Sequence, residues 1–288
     1  MTIKALHGAA LLTLLLATPA AALNKQGVAT ADEFTVTEDG QPPAFNASGY
    51  VFAGAMVYNP SYAARPDNTG HALGRTGAHL DLDFFGKRAG ITYDVNVFSD
   101  RDGANTLRPT EHDHIIGLLA RWRGFDAGGH WEADLPADRP GLAQSYVDVF
   151  ARWSWRLEPP TARVGAQGFV ALAGLVDNPT YAARPDLSGL AMLRLNGHAE
   201  IDLLKPWLGA AVDLNVFTDR FAHAGLLPSE LDTTVGAVVH VRAFDVSLVA
   251  ENDRPLDRPG LQQSYLMTLL SYRFDAQRWM VGRRGHGA

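Results

Sequence analysis

Two histidines flank an aspartate in His112-Asp113-His114, a spacing that offers two imidazoles to a metal ion. Carboxylates gather at Asp81, Asp83 and Asp94, and again at Glu200, Asp202 and Asp213. Such groups serve acid–base catalysis, or line the pathway of an ion. Ser145 and Ser264 supply hydroxyls for a Ser/His/polar triad, but His130 has no histidine counterpart in the later half of the chain. GxSxG, HExxH and a glycine-rich phosphate loop are all missing. A lone HxH is a weak metal signal, so no metal, no other cofactor and no catalytic residue is assigned, and a non-enzymatic role is expected.

The elements that carry these side chains alternate with period two. In LRLNGHAEIDLL (193–204), Leu193, Leu195, Gly197, Ala199, Ile201 and Leu203 share one face, while Arg194, Asn196, His198, Glu200 and Asp202 share the other. That is the pattern of a strand with an apolar and a charged side. GAHLDLDFF sets Leu80, Leu82 and Phe84 against His79, Asp81 and Asp83. ITYDVNVF sets Ile91, Tyr93, Val95 and Val97 against Thr92, Asp94 and Asn96. VDVFARWSWRL sets Val147, Val149, Ala151, Trp153, Trp155 and Leu157 against Asp148, Phe150, Arg152, Ser154 and Arg156.

The pattern is written twice. NPSYAARPD at 59–67 returns as NPTYAARPD at 178–186, DVNVFSDR at 94–101 as DLNVFTDR at 213–220, and DRPGLAQSY at 138–146 as DRPGLQQSY at 257–265, each 119 positions later. A constant offset over three blocks points to tandem duplication, with a unit too long for a solenoid repeat. Turn signals divide each unit into six strands, expected near 48–58, 72–85, 89–100, 113–125, 128–136 and 145–157, then 165–177, 190–204, 208–219, 232–244, 246–253 and 264–274. The connections alternate between short (GKR, FDAG, EPPTAR, KPW, FD) and long (around NPSYAARPD, SDRDGANTLRPTE and LPADRPGLAQ). The recurring loops solve the same folding problem twice, as rigid proline turns, or place Tyr62, Arg65, Asp67, Tyr181, Arg184 and Asp186 as a constriction at a mouth.

Residues 1–22 combine a cationic start at Lys4, an apolar run and small residues at Ala20 and Ala22, which predicts an export signal. Residues 23–47 read as a polar leader and 275–288 as a tail. The chain has no cysteine, so disulfides contribute nothing to its stability. Its net charge is −6 and its basic residues are scattered, which argues against a nucleic-acid partner. After residue 22 no apolar run is long enough for a membrane helix, so a membrane protein built from this chain must be a β-barrel.

Alternation alone fits a soluble sandwich as well. Three features favour lipid: an apolar face continuous over nearly every strand, Trp122, Trp131, Trp153 and Trp155 on that face near the short turns with Trp207 in one, and a last strand, LMTLLSYRF (266–274), that ends on an aromatic. Residues 48–274 thereby resemble the Gram-negative outer-membrane β-barrels, porin-like in layout. The resemblance implies an all-β, transmembrane, antiparallel up-and-down barrel of about twelve strands (repeat one 48–158, repeat two 165–274). It also implies an outer-membrane location, contact with outer-membrane lipid, and recognition of the last strand by the barrel-assembly machinery. The lumen would then hold Asp81, Asp83, Asp94, Arg121, Arg123, Arg152, Glu200, Asp202, Asp213 and Arg242, with acids and bases in different sectors of the wall. The leading expectation is a narrow passive channel for small polar or charged solutes. An outer-membrane enzyme acting on lipid or lipopolysaccharide and a soluble periplasmic binding protein of two β-sandwich domains are the alternatives.

Overall fold

The structure, a computed structural model, describes residues 44–61, 70, 73–101, 107–137, 139–157, 165–180, 192–204, 207–221, 225–256, 258, 260 and 262–276. The export signal, the leader up to residue 43, the six candidate constriction residues from Tyr62 to Asp186 and the tail after residue 276 lie outside them.

Twelve strands follow one another: β1 Phe45–Ser61, β2 Leu73–Phe84, β3 Ala89–Arg101, β4 Leu107–Trp122, β5 Phe125–Pro136, β6 Gln144–Leu157, β7 Gly165–Thr180, β8 Met192–Leu204, β9 Leu208–Phe221, β10 Gly225–Val241, β11 Phe244–Pro255 and β12 Gln263–Asp275. Each pairs antiparallel with its neighbours in sequence, and β1 pairs with β12 from Ser48↔Asp275 to Ser61↔Ser264, which closes the barrel. Closure leaves no sheet edge with unpaired amides, the condition for a sheet in hydrocarbon. Among the described residues no helix is long and apolar enough to cross a membrane.

The strands begin and end differently from the spacing of turn signals. β1 starts at Phe45, inside the expected leader, and β4 runs Leu107–Trp122 rather than 113–125. The β4–β5 reversal is made by Arg123 and Gly124, both at positive φ (49° and 83°), and the β10–β11 reversal has Arg242 at φ 59°. Left-handed torsions in a two-residue connection match the twist of a hairpin, so these turns come directly before the FDAG and FD segments, and β4 and β10 end three residues earlier than the turn signals implied. Arg123 and Arg242 are therefore exposed turn residues, not lumen residues as the alternation implied.

The two faces of the wall are sharply different. Val51, Ile91, Ile116, Leu118, Val149, Val170, Leu172, Leu195, Leu214, Val246, Leu248 and Leu270 are exposed on the outside. Arg75, His79, Asp81, Asp94, Glu132, Asp148, Arg194, His198, Glu200 and Asp213 are buried on the inside. At the short-turn rim, exposed Phe85, Trp122, Phe125, Trp153, Trp207 and Phe244 form an aromatic belt; Trp131 stands higher, six residues along β5 from Phe125. Near the long-loop end the inside carries two apolar patches. Phe52, Met56, Leu73, Val249, Tyr265, Met267 and Leu269 pack together, and Tyr146, Leu175 and Met192 form the smaller group. Met56, Leu73 and Tyr265 have their counterparts 119 positions away in Leu175, Met192 and Tyr146.

Candidate functional site

The interior is built from neighbouring strands whose charged positions fall in register. His79 on β2 lies opposite Asp94 on β3 and two residues from Asp81 on its own strand. Its Nδ1 stands 2.6 Å from Asp94 Oδ1 and its Nε2 2.9 Å from Asp81 Oδ2. On β8 and β9, His198 repeats the arrangement, with Nδ1 2.6 Å from Asp213 Oδ1 and Nε2 2.9 Å from Glu200 Oε1. Each imidazole is covered by a ring from the preceding strand, Tyr50 over His79 at 5.1 Å and Phe169 over His198 at 5.2 Å. A ring that meets a carboxylate at each nitrogen donates twice when it is the imidazolium. Two carboxylates then face one cation, leaving each trio with one negative charge in excess.

A third histidine site has no counterpart. His130 on β5 bonds Asp148 on β6 through Nδ1 at 3.1 Å and stacks on Phe150 at 4.5 Å. It can approach because Gly117 on β4 has no side chain: a Cβ there would lie 2.3 Å from Thr92 Oγ1 and 2.6 Å from His130 Cδ2. The equivalents of His130 and Asp148 are Val249 and Met267, both apolar and fully buried.

Nearer the short turns the ion pairs are direct. Arg121 binds Asp83 across the width of β3, over Gly90, whose missing Cβ would stand 3.2 Å from the carboxylate and 3.3 Å from the guanidinium. Arg152 donates Nε to Asp126 Oδ2 at 2.7 Å and also binds it through Nη2. Asp245 receives His240 at 2.7 Å and Arg273 at 2.8 Å. Asp202, half-buried, lines a small recess with Arg156, Gln167 and Glu200. Acids and bases thus do not occupy separate sectors of the wall. They meet, because a side chain on one strand reaches its neighbour or, over a glycine, the next strand but one.

Towards the long loops two arginines lie across aromatic rings. Arg75 sits 4.7 Å from the Phe98 centroid and donates to Asn96 Oδ1 at 3.4 Å. Arg194 sits 4.5 Å from Tyr146 and 4.9 Å from Phe217, with Glu132 Oε2 at 3.9 Å. A guanidinium over a ring face gains cation–π attraction that a desolvated site strengthens.

The network is tightly packed: Arg75, Thr92, Glu132, Arg194 and Asp213 are each less than 5 % exposed. The residues that organise this interior, His79, His198, Arg75, Arg194 and Glu132, were not among the candidates from sequence. The 119-residue offset carries the signal for them, since it matches His79 with His198, Arg75 with Arg194 and Glu132 with Glu251.

Charged side chains turned inward, aliphatic ones turned outward and a closed wall together invert the plan of a water-soluble protein. The chain folds as a transmembrane β-barrel. No protein-family model and no curated protein sequence matches it. Solved outer-membrane barrels are similar to it in structure. The Salmonella typhi outer membrane phospholipase (OMPLA) dimer with bound calcium aligns at 11 % identity and TM-score 0.44, over 86 % of this chain and 95 % of that one. The beta domain of the Bordetella autotransporter Brka aligns at 14 % and 0.37, over 81 % and 99 %. An anion-selective porin from Comamonas acidovorans aligns at 9 % and 0.35, over 80 % and 100 %. At these identities the likeness concerns the fold and carries no residue's role across.

The wall also positions the hydroxyl candidates. Ser145 and Ser264 lie on the outer face, Ser264 Oγ 3.3 Å from Ser61 Oγ. His112 and His114 also face outward while Asp113 faces in, so the three do not converge. His114 Nδ1 meets the Tyr93 hydroxyl at 2.9 Å. Among the described residues no group of three or more His, Cys, Asp or Glu side chains is arranged to hold a metal ion.

Proposed function

We propose that this barrel resides in the outer membrane and acts as a narrow passive channel for small polar or charged solutes, held shut here by its own side chains. The observation that carries the proposal is the composition of the interior. A barrel that only needed plugging would be filled more cheaply by apolar side chains, because buried charges lose their hydration and recover it only when well paired. This one keeps ionisable groups from the short-turn rim, at Asp83 and Arg121, through His79 and His198, to Asp134 and Asp253 near the long loops. Rearrangement of long arginine and glutamine side chains opens such a lumen without moving the wall. Twelve strands enclose a bore between that of filled eight-stranded barrels and that of sixteen-stranded porins.

Conductance of the purified chain in a planar bilayer tests the reading. Small unitary steps are expected, below those of sixteen-stranded porins; a silent bilayer containing folded protein would leave a sealed barrel.

One observation favours the enzymatic alternative. On the outer wall His114, Ala133 and Ser145 occupy one row across β4, β5 and β6, with Tyr93 bonded to His114. Two strand spacings put the His114 and Ser145 backbones about 10 Å apart, within reach of a shared lipid ester. Phospholipid or lipopolysaccharide deacylation that is lost in Ser145→Ala and His114→Ala would establish it. Release equal to that of a protein-free control would remove it.

A further inference from the structure

The short-turn rim carries exposed cations that meet no carboxylate among the described residues. Arg88 in the β2–β3 turn, Arg123 in the β4–β5 turn and Arg242 in the β10–β11 turn are exposed, and among the described residues none of the three meets a carboxylate. Among the described residues the acids of the same rim turn into the barrel, where Asp83, Asp126 and Asp245 hold Arg121, Arg152 and the His240–Arg273 pair. The only exposed acid among the described residues is Asp177, at the opposite end of the barrel. The exposed charge that the described residues give the short-turn rim is therefore positive.

Arg123 and Arg242 also stand where the backbone disfavours them. Their φ values of 49° and 59° lie in the left-handed region, which glycine and asparagine enter easily and long side chains avoid. The two positions are 119 residues apart and carry the same residue in the same unfavourable conformation. Folding does not ask for arginine at either place. The Arg123 guanidinium lies 5.2 Å from the ring of Trp122, a member of the exposed aromatic belt, so its charge is held at the depth of lipid headgroups.

We propose that Arg88, Arg123 and Arg242 bind the phosphodiesters of anionic phospholipids in the leaflet next to the short turns. The inference rests on the reading of the chain as a membrane barrel. Charge complementarity selects an anionic headgroup over a zwitterionic one, and a guanidinium donates two parallel hydrogen bonds to a phosphate.

The test uses the full chain, folded in detergent with equimolar phosphatidylglycerol and phosphatidylcholine, and counts retained lipids by native mass spectrometry. Phosphatidylglycerol should be retained several-fold over phosphatidylcholine. Arg88→Gln combined with Arg123→Gly and Arg242→Gly should bring the ratio to about one. The two glycine changes relieve the left-handed strain, so the variant should fold at least as well, as checked by the gel mobility of unheated samples. Equal retention of both lipids by the unaltered chain, or undiminished preference in the folded variant, overturns the proposal. If neither lipid is retained, the membrane reading itself fails and this proposal with it.

Discussion

Replacing His79 by leucine would leave Asp81 and Asp94 buried side by side without the ring that bonds both. Two hydrogen bonds, at 2.9 and 2.6 Å, disappear, and both carboxylates are less than 10 % exposed. Charge-assisted hydrogen bonds contribute about 1.5–3 kcal/mol each, and removing one partner of a buried ion pair costs about 3–5 kcal/mol, so both routes give a loss of several kcal/mol. His198→Leu should cost the same, since its two distances are identical. The two sites share no partner, so the losses should add. Together they would reach about 6–10 kcal/mol, which rivals the whole stability of an ordinary domain, and the double variant should fail to fold. Adding Asp81→Asn and Asp94→Asn to His79→Leu removes the stranded charge and should restore most of the loss. Urea titration of folding into lipid vesicles, followed by tryptophan fluorescence and by gel mobility of unheated samples, measures each variant. A loss below about 1 kcal/mol for His79→Leu, or a triple variant no more stable than the single one, would refute the reasoning.

Other consequences are as direct. Gly117→Ala places a methyl 2.3 Å from a buried Thr92 hydroxyl and should cost about 1–3 kcal/mol, whereas Gly197→Ala meets nothing within 4 Å and should be neutral or slightly stabilising; the same urea titration compares them. Arg121→Ala removes the guanidinium that spans the interior over Gly90, and unitary conductance in planar bilayers should rise. Among the described residues twelve carboxylates but only four Arg or Lys side chains are buried, so the open state should prefer cations. The reversal potential in a potassium chloride gradient reports this, and an anion-selective sign would contradict it.

Much of the architecture was legible because a barrel wall makes each residue choose a side. Leu80, Leu82 and Phe84 against His79, Asp81 and Asp83 is a statement about β2 that needs no tertiary information, and alternating turn lengths order the strands into a meander. The direction of the charged face was not contained in periodicity; continuous apolar faces and rim tryptophans decided it. Turn positions were harder to read. Arg123 and Arg242 occupy torsions that residue preferences assign to glycine or asparagine, so propensity pointed three residues too far. The partners of the lumen charges were harder still. That Arg121 reaches Asp83 depends on a glycine between them on the intervening strand, and nothing in β2 or β4 alone announces it.

The two halves differ at a few interior positions, and these bear on the proposed channel. His79 and His198, Arg75 and Arg194, and Tyr146 and Tyr265 keep chemistry and placement at an offset of 119 residues, so these positions set the common frame of the interior. His130 and Asp148 do not, for their equivalents are Val249 and Met267, packed in an apolar cluster with Phe52 and Leu73. At that level the interior therefore offers a histidine and a carboxylate on β5 and β6, and an apolar cluster of Phe52, Met56, Leu73, Val249, Met267 and Leu269 in the matching place, beside the charged positions that β2 and β11 keep elsewhere. Thr92, Gly117 and His130 lie on the polar side, where the buried Thr92 hydroxyl meets no hydrogen-bond partner among the described residues. A hydroxyl in that state gains most from the arrival of a water or a solute, since its desolvation has already been incurred. If the proposed channel exists, its path is expected to follow the β3–β6 wall past Gly117, and His130→Leu should then lower unitary conductance more than a change at Val249 does.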